Sequence, residues 1–311
     1  MPLSWDDRAD EIINGDAAAG VAYPTPAKGA VIVPMAPLGL RDCDRGTVTV
    51  TTSLGLWKKV LRIRANPQVS IAFHAREHGH SNLPDFLLLQ GRATVQEQPD
   101  RAWLESITPQ WERFLGPRET GWRGRLMDVY YWNRIGIEVE LERILRWDNA
   151  ACRGEPEVLG APLPAEPPAP QKEPGNGTGP RKDVAKAAAH VRTLPHSLLG
   201  WVGADGLPVL VAARAAGSGP AGLELDVDAG IVPPGGRRAG LTAHAFKPRM
   251  HGQEQRMYTG WMTSEGGSRA LYAPHTLTGA KLPESRLLFD LGAGIATRAG
   301  LRGARKAGID V

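Results

Sequence analysis

Twenty consecutive residues, 161–180, are dominated by proline and glycine and offer no apolar face to bury. Such a stretch is an extended, partly polyproline linker. It splits the 311-residue chain into residues 1–160 and 181–311, two lengths that each suit one domain. The two parts share a pattern. Val69-Ser70-Ile71-Ala72-Phe73-His74-Ala75 aligns with Ala239-Gly240-Leu241-Thr242-Ala243-His244-Ala245, and a glycine inside a strand follows each, Gly91 and Gly260. The chain therefore reads as two copies of one topology.

That topology is mainly β. In the first half a helix is expected over Trp5–Ile13, capped by Ser4. Gly20–Pro24 and Gly29–Met35 read as a hairpin, followed by strands at Thr47–Thr52, Val69–Ala75, Phe86–Gln96 and Ile135–Trp147. Helices are expected at Asp100–Phe114 and Trp122–Trp132, where Trp103, Trp111, Trp122 and Trp132 suit a helical core or a lid. The second half repeats the plan with a helix at Asp183–Arg192. Strands follow at Leu198–Val202, Leu207–Ala213, Gly222–Val227, Arg238–Phe246, Arg256–Thr263 and Ala270–Tyr272. A closing helix runs from about Pro283 to Arg305. About six strands per half with few helices suits a small closed or nearly closed antiparallel barrel. The expected fold is thus a tandem pair of β-barrels with peripheral helices.

The segment after Thr47–Val50 carries the chemistry. Hydroxyls at a strand end, Thr51, Thr52 and Ser53, precede a short helix bearing Lys58 and Lys59, which ends at Asn66-Pro67 before the strand from Val69. Free N–H groups at a helix start, full charges and oriented hydroxyls together make an anion seat, with phosphate the obvious guest. Neither G-x-x-x-x-G-K-[ST] nor a strand followed by G-x-G-x-x-G is present. The second half has only Asp228 to Arg237 in place of Ser53–Asn66, so its helix and lysines are gone. One good seat per chain is expected.

This order of parts resembles the pyridoxamine 5'-phosphate oxidase-like family of FMN-binding split barrels, which includes flavin- and deazaflavin-dependent oxidoreductases. The resemblance implies that Thr51, Thr52, Ser53, Lys58 and Lys59 hold a cofactor phosphate. It implies that the ring lies along Val33, Pro34 and Met35, and that Gln90 and Gly91 approach it. Trp57 replaces a small residue of the family pattern, and would stack on a ring, shield the phosphate or block the seat. The implied activity is FMN-dependent hydride transfer to a small organic substrate. A deazaflavin coenzyme with an anionic tail suits the same seat, and a non-catalytic flavin- or haem-binding protein is a reading from another class. Family members pair barrels to complete the site, which implies an in-chain pseudo-dimer or a homodimer. No catalytic acid–base pair is evident, as expected where a cofactor carries the reaction.

Composition narrows the setting. A net charge of +4 with no basic run interleaved with aromatics does not indicate nucleic acid. Cys43 and Cys152 are too few for a disulfide framework, the acidic N-terminus lacks a signal core, and no apolar run reaches the ~20 residues needed to span a bilayer. These features predict a reduced, cytoplasmic protein without membrane contact. His74, His78 and His80 raise metal binding, and His74 or His244 haem ligation. A solvated histidine loop is the plainer reading, and no metal is expected.

Overall fold

The structure, a computed structural model, describes residues 2–78, 80–118 and 120–309. Helix α1 (Asp7–Asn14) is capped by Asp6, not Ser4, through the Ala9 N–H, and buries Ile12 and Ile13. Strands β1 (Ala19–Pro24) and β2 (Ala30–Met35) form the expected hairpin. Then come β3 (Arg41–Asp42), β4 (Thr47–Ser53), helix α2 (Trp57–Ala65), β5 (Gln68–Phe73) and β6 (Phe86–Val95). Helices α3 (Arg101–Ser106), α4 (Thr108–Leu115) and α5 (Gly121–Trp132) precede β7 (Arg134–Trp147) and β8 (Glu157–Gly160). The single helix expected over Asp100–Phe114 is two, because the chain breaks at Ile107 ahead of Pro109, which has no N–H to continue a ladder. The antiparallel sheet runs β2-β1-β5-β6-β7-β4-β3, with β8 added to β7. It curls until Ala36, just past β2, bridges Thr51 of β4, whose N–H donates to the Ala36 carbonyl at 2.7 Å. Alternate residues of these strands fill the barrel with Val21, Val50, Ile71, Leu89, Ile137 and Val139.

After the linker come α6 (Val184–Thr193), β9 (His196–Val202), β10 (Pro208–Ala212), β11 (Arg214–Gly219) and β12 (Gly222–Asp226). The chain ends with β13 (Gly235–Ala245), β14 (Glu254–Ser264), β15 (Arg269–Lys281) and helix α7 (Arg286–Lys306). Their sheet runs β10-β9-β13-β14-β15-β12-β11, which is the order of the first sheet strand for strand. Val69 pairs with Gly91 and Ala239 with Gly260, and both ladders shift register at that glycine. A Cβ on Gly91 would stand 2.0 Å from the Glu140 carbonyl oxygen, and one on Gly260 2.1 Å from that of Ala273. Strand β15 is far longer than the expected Ala270–Tyr272, because Pro274 falls at the bulge, where no ladder N–H is needed. Strand β11, rich in alanine, glycine and serine, carries no alternation in sequence and was not expected.

The two sheets meet along β1, β2 and β5 on one side and β9, β10 and β13 on the other. Equivalent positions meet each other there, as across a two-fold axis. Gly20 and Leu198 correspond, and a Cβ on Gly20 would reach the Leu198 Cδ1 at 2.5 Å. His74 and His244 correspond, and their Nε2 atoms lie 2.8 Å apart. Ser70 Oγ and Gln90 Nε2 both donate to the Pro208 carbonyl, and Thr242 Oγ1 donates to that of Ile32 at 3.2 Å. The linker is laid along the second sheet. The Gln171 N–H donates to the Gly236 carbonyl at 2.8 Å, and buried Arg237 donates to that of Pro168 at 3.0 Å.

The histidine pair fixes its own proton arrangement. His74 Nδ1 faces the Ala72 carbonyl at 3.2 Å and must donate to it, so His74 Nε2 accepts from His244 Nε2–H. Burial, then the charge of His196, pushes His74 down to about 3, and burial pushes His244 well below its ordinary value. Their neutral forms stabilise the fold fully above the unfolded value of ~6.5, and that stability is lost as pH falls toward their folded values. Chemical denaturation from pH 7 to pH 4 should show stability falling by up to about 1.4 kcal/mol per pH unit for each histidine. The double variant His74→Leu, His244→Leu should flatten that slope. Separately, Gly91→Ala should cost about 2–3 kcal/mol in the same assay, since a methyl cannot share space with the Glu140 carbonyl.

Candidate functional site

A cavity of about 310 Å³ opens where the end of β4 meets α2, β2, α5 and the second half. That size lies within the ~300–1,000 Å³ usual for small-molecule sites. One part of its wall is polar and cationic. Thr51, Thr52, Ser53, Gly55, Lys59 and Arg134 line it there. Ser53 Oγ accepts from the Gly55 N–H at 3.1 Å and starts a single 3-10 turn, and α2 follows with no side chain capping its first N–H groups. Thr51 Oγ1 accepts from Arg134 Nη2 at 2.8 Å, while the buried Thr52 hydroxyl has no partner among the described residues.

Two buried cations share this corner. Lys59 is 7% exposed, Arg134 4%. The Arg134 guanidinium lies over the rings of Trp111, at 4.6 Å, and Tyr130, at 5.1 Å, and its Nε has no hydrogen-bond partner. No carboxylate lines the cavity, and Lys59 has neither hydrogen-bond nor ion-pair partner among the described residues. Burial and then the neighbouring Arg134 charge push the Lys59 ammonium down to about 7. A buried pair of cationic side chains beside a free hydroxyl is an arrangement chemically suited to an anion.

The sequence-derived residues divide. Pro34, Met35, Thr51, Thr52, Ser53 and Lys59 line the cavity. Val33 packs instead against the first barrel's core. Trp57 neither stacks in the cavity nor blocks it. It packs in a cluster with Leu54, Val60 and Leu301 and against Gly303 of α7. Lys58 is exposed, with its Nζ 5.8 Å from the Trp57 ring centre. Gln90 is fully buried at the seam between the halves, where it accepts from Arg143 Nε at 2.6 Å and donates to Pro208, and Gly91 makes the bulge described above. Arg134 went unrecognised in sequence because it opens an ordinary alternating strand. A signal was there: an arginine at a strand start, one residue beyond a helix ending Tyr-Tyr-Trp.

Of the solvated histidine loop expected, only His80 is exposed. His74 belongs to the seam, the His78 side chain is buried with Nδ1 2.6 Å from Asp16 Oδ1, and His80 packs on the Phe114 ring. Among the described residues no cluster of histidine, cysteine or acid could hold a metal. Of the tryptophans, Trp111 is buried beneath Arg134 and Trp122 is exposed. No described helix is long and apolar enough to cross a membrane.

The second half has a counterpart cavity, also about 310 Å³. Counting five residues back from Leu141 and Pro274, the partners of the two bulge glycines, reaches Gly136 and Arg269, which pair with Thr51 and Asp226. Asp226 therefore stands where the first half has Thr51, and Asp228 where it has Ser53. Both line the counterpart cavity. Its lining is mixed in charge, with Arg153 and Arg214 beside these two carboxylates, and it has no counterpart of the lysine helix.

No family profile matches the chain, and no curated protein matches it by sequence. Solved structures do resemble it, each over about half its length. A conserved hypothetical protein from Mycobacterium tuberculosis is 18% identical, covering 48% of this chain and 88% of its own, with a TM-score of 0.36. A protein related to general stress protein 26, of the pyridoxinephosphate oxidase family, from Clostridium acetobutylicum is 14% identical, covering 49% and 92%, with a TM-score of 0.35. A pyridoxamine 5'-phosphate oxidase-related, FMN-binding protein from Nostoc punctiforme is 13% identical, covering 42% and 73%, with a TM-score of 0.29. By its own strand order this chain carries two curled antiparallel sheets in succession.

The Lys59 charge gives the cavity a pH signature. Phenyl phosphate, a dianion above pH ~6, should bind most tightly near pH 7. From pH 7 to 9 its affinity should fall by up to about ten-fold per unit, as free Lys59 loses its proton. The Lys59→Met variant should bind weakly with a flat profile. Calorimetric titration at several pH values reads both, and a flat wild-type profile would remove Lys59 from the seat.

Proposed function

We propose that this chain is an FMN-dependent oxidoreductase that holds one flavin per chain in the cavity between its halves. The observation that carries the reading is the pair Lys59 and Arg134, buried beside Thr51, Thr52 and Ser53 with no carboxylate to balance them. A terminal phosphate monoester supplies two negative charges and acceptor oxygens for every free donor there. The apolar walls from Pro34, Met35, Leu282 and Phe289 suit a flat ring and exclude water from it. When bound, the flavin would supply the hydride chemistry. Lys59 and Arg134 would anchor its phosphate, the hydroxyls would orient it, and Pro34 and Met35 would lie along its ring. The same seat would accept the phosphate of a deazaflavin coenzyme, but two uncompensated cations favour a doubly charged terminal phosphate over a singly charged diester.

In this reading the two halves act as an in-chain pseudo-dimer, the second barrel completing the site that a partner barrel would otherwise supply. The second cavity, with Asp226 and Asp228, would stay free of flavin.

The purified chain titrated with FMN should show saturable changes near 450 nm at one equivalent per chain. Lys59→Met and Arg134→Met should each weaken FMN by roughly ten- to a hundred-fold, the loss of one charge-assisted contact of ~1.5–3 kcal/mol. Wild-type affinity in both variants would remove the seat from the account. Reduction of the bound flavin by a nicotinamide or deazaflavin donor then separates an enzyme from a binding protein.

A further inference from the structure

The cavity has a second polar feature, and it comes from the other half of the chain. Gln253 immediately precedes β14 and Gln255 is its second residue, and both line the cavity. Gln253 is 8% exposed. Its Nε2 and the Oε1 of Gln255 are buried without a hydrogen-bond partner among the described residues. Their neighbours in the wall, Met250, Ala280, Leu282 and Phe289, have no side-chain group to satisfy them. Buried amide groups are rarely left unpaired. Nothing in the phosphate seat accounts for these two, since the seat's hydroxyls and cations come wholly from the first half.

Resting on the flavin reading above, we infer that Gln253 and Gln255 recognise the ring end of the ligand. They select a heterocycle that presents an N–H beside a C=O, the edge of a cyclic imide. Gln253 Nε2–H donates to the ring carbonyl, and Gln255 Oε1 accepts from the ring N–H. The second half is then more than a structural partner. It sets which ring the first half's phosphate seat will keep. The division of labour follows the charges. The corner that holds the phosphate is cationic, whereas the amides are neutral and suit an uncharged ring edge. A ligand with a carboxylate at its far end would find no cation beside them.

The test is binding to the full chain of two probes, FMN and phenyl phosphate, which shares the phosphate and an aromatic ring but has no imide edge. Gln253→Met, Gln255→Met and the double variant keep side-chain length while removing the amides. The expected result is FMN affinity lowered about ten-fold in each single variant and further in the double, with phenyl phosphate affinity unchanged. Unchanged phenyl phosphate binding also shows that the variants fold. Gln253→Glu, which replaces the donor with an anion, should weaken FMN more than Gln253→Met does. FMN binding equal to wild type in the double variant would overturn the inference and leave the phosphate seat standing. Failure of wild type to bind either probe would overturn both.

Discussion

Without the seam between its two sheets, this chain has a cationic corner but no cavity behind it. The first half supplies the hydroxyls at the end of β4 and both cations, Lys59 on α2 and Arg134 on β7. The rest of the wall comes from β14, the end of β15 and α7. These walls face each other only because β5 and β13 dock through equivalent residues, with His74 against His244 and Gly20 against Leu198. One hydrophobic cluster crosses the seam, packing Ile32, Phe86 and Leu88 with Leu198, Leu199 and Leu210, and a few hydrogen bonds to main-chain carbonyls fix its register. The His74–His244 pair bridges it.

The cavity's electrostatics run against the stability of the protein alone. Burying Lys59 beside Arg134 costs free energy that no carboxylate lining the cavity offsets, and the lowered Lys59 value expresses that cost. Strain of this kind, where a local rule is broken without compensation, is a common mark of a ligand site. The counterpart cavity sharpens the point. The same strand ends, in the same sheet order, carry Asp226 and Asp228 beside Arg153 and Arg214, so one topology holds one cavity whose charged lining is cationic and another of mixed charge.

Much of the fold was legible because its periodicities are local. The hairpins, the long alternating β7 and the match of Val69–Ala75 with Ala239–Ala245 all read directly, and the shared glycines mark the shared bulge. Strand β11 was not legible, since its small residues carry no pattern, and β15 was cut short at a proline that the bulge tolerates. The site was legible only in part. Thr51, Thr52, Ser53 and Lys59 follow from sequence order because they lie within one strand–turn–helix unit. Arg134, Gln253 and Gln255 reach the cavity through tertiary closure, from 75 to nearly 200 residues beyond Lys59, where no local spacing announces them. Gln90 misled for the converse reason. Its strand pattern is correct, but the docking of the second half claims its amide.

The most direct measurement of the central claim compares FMN with riboflavin, which differ by the terminal phosphate alone, on the same full-length protein at pH 7. Two charge-assisted contacts at Lys59 and Arg134 should make FMN bind at least about a hundred-fold more tightly. Equal affinities would show that the buried cations do not grip a phosphate, and would contradict the account.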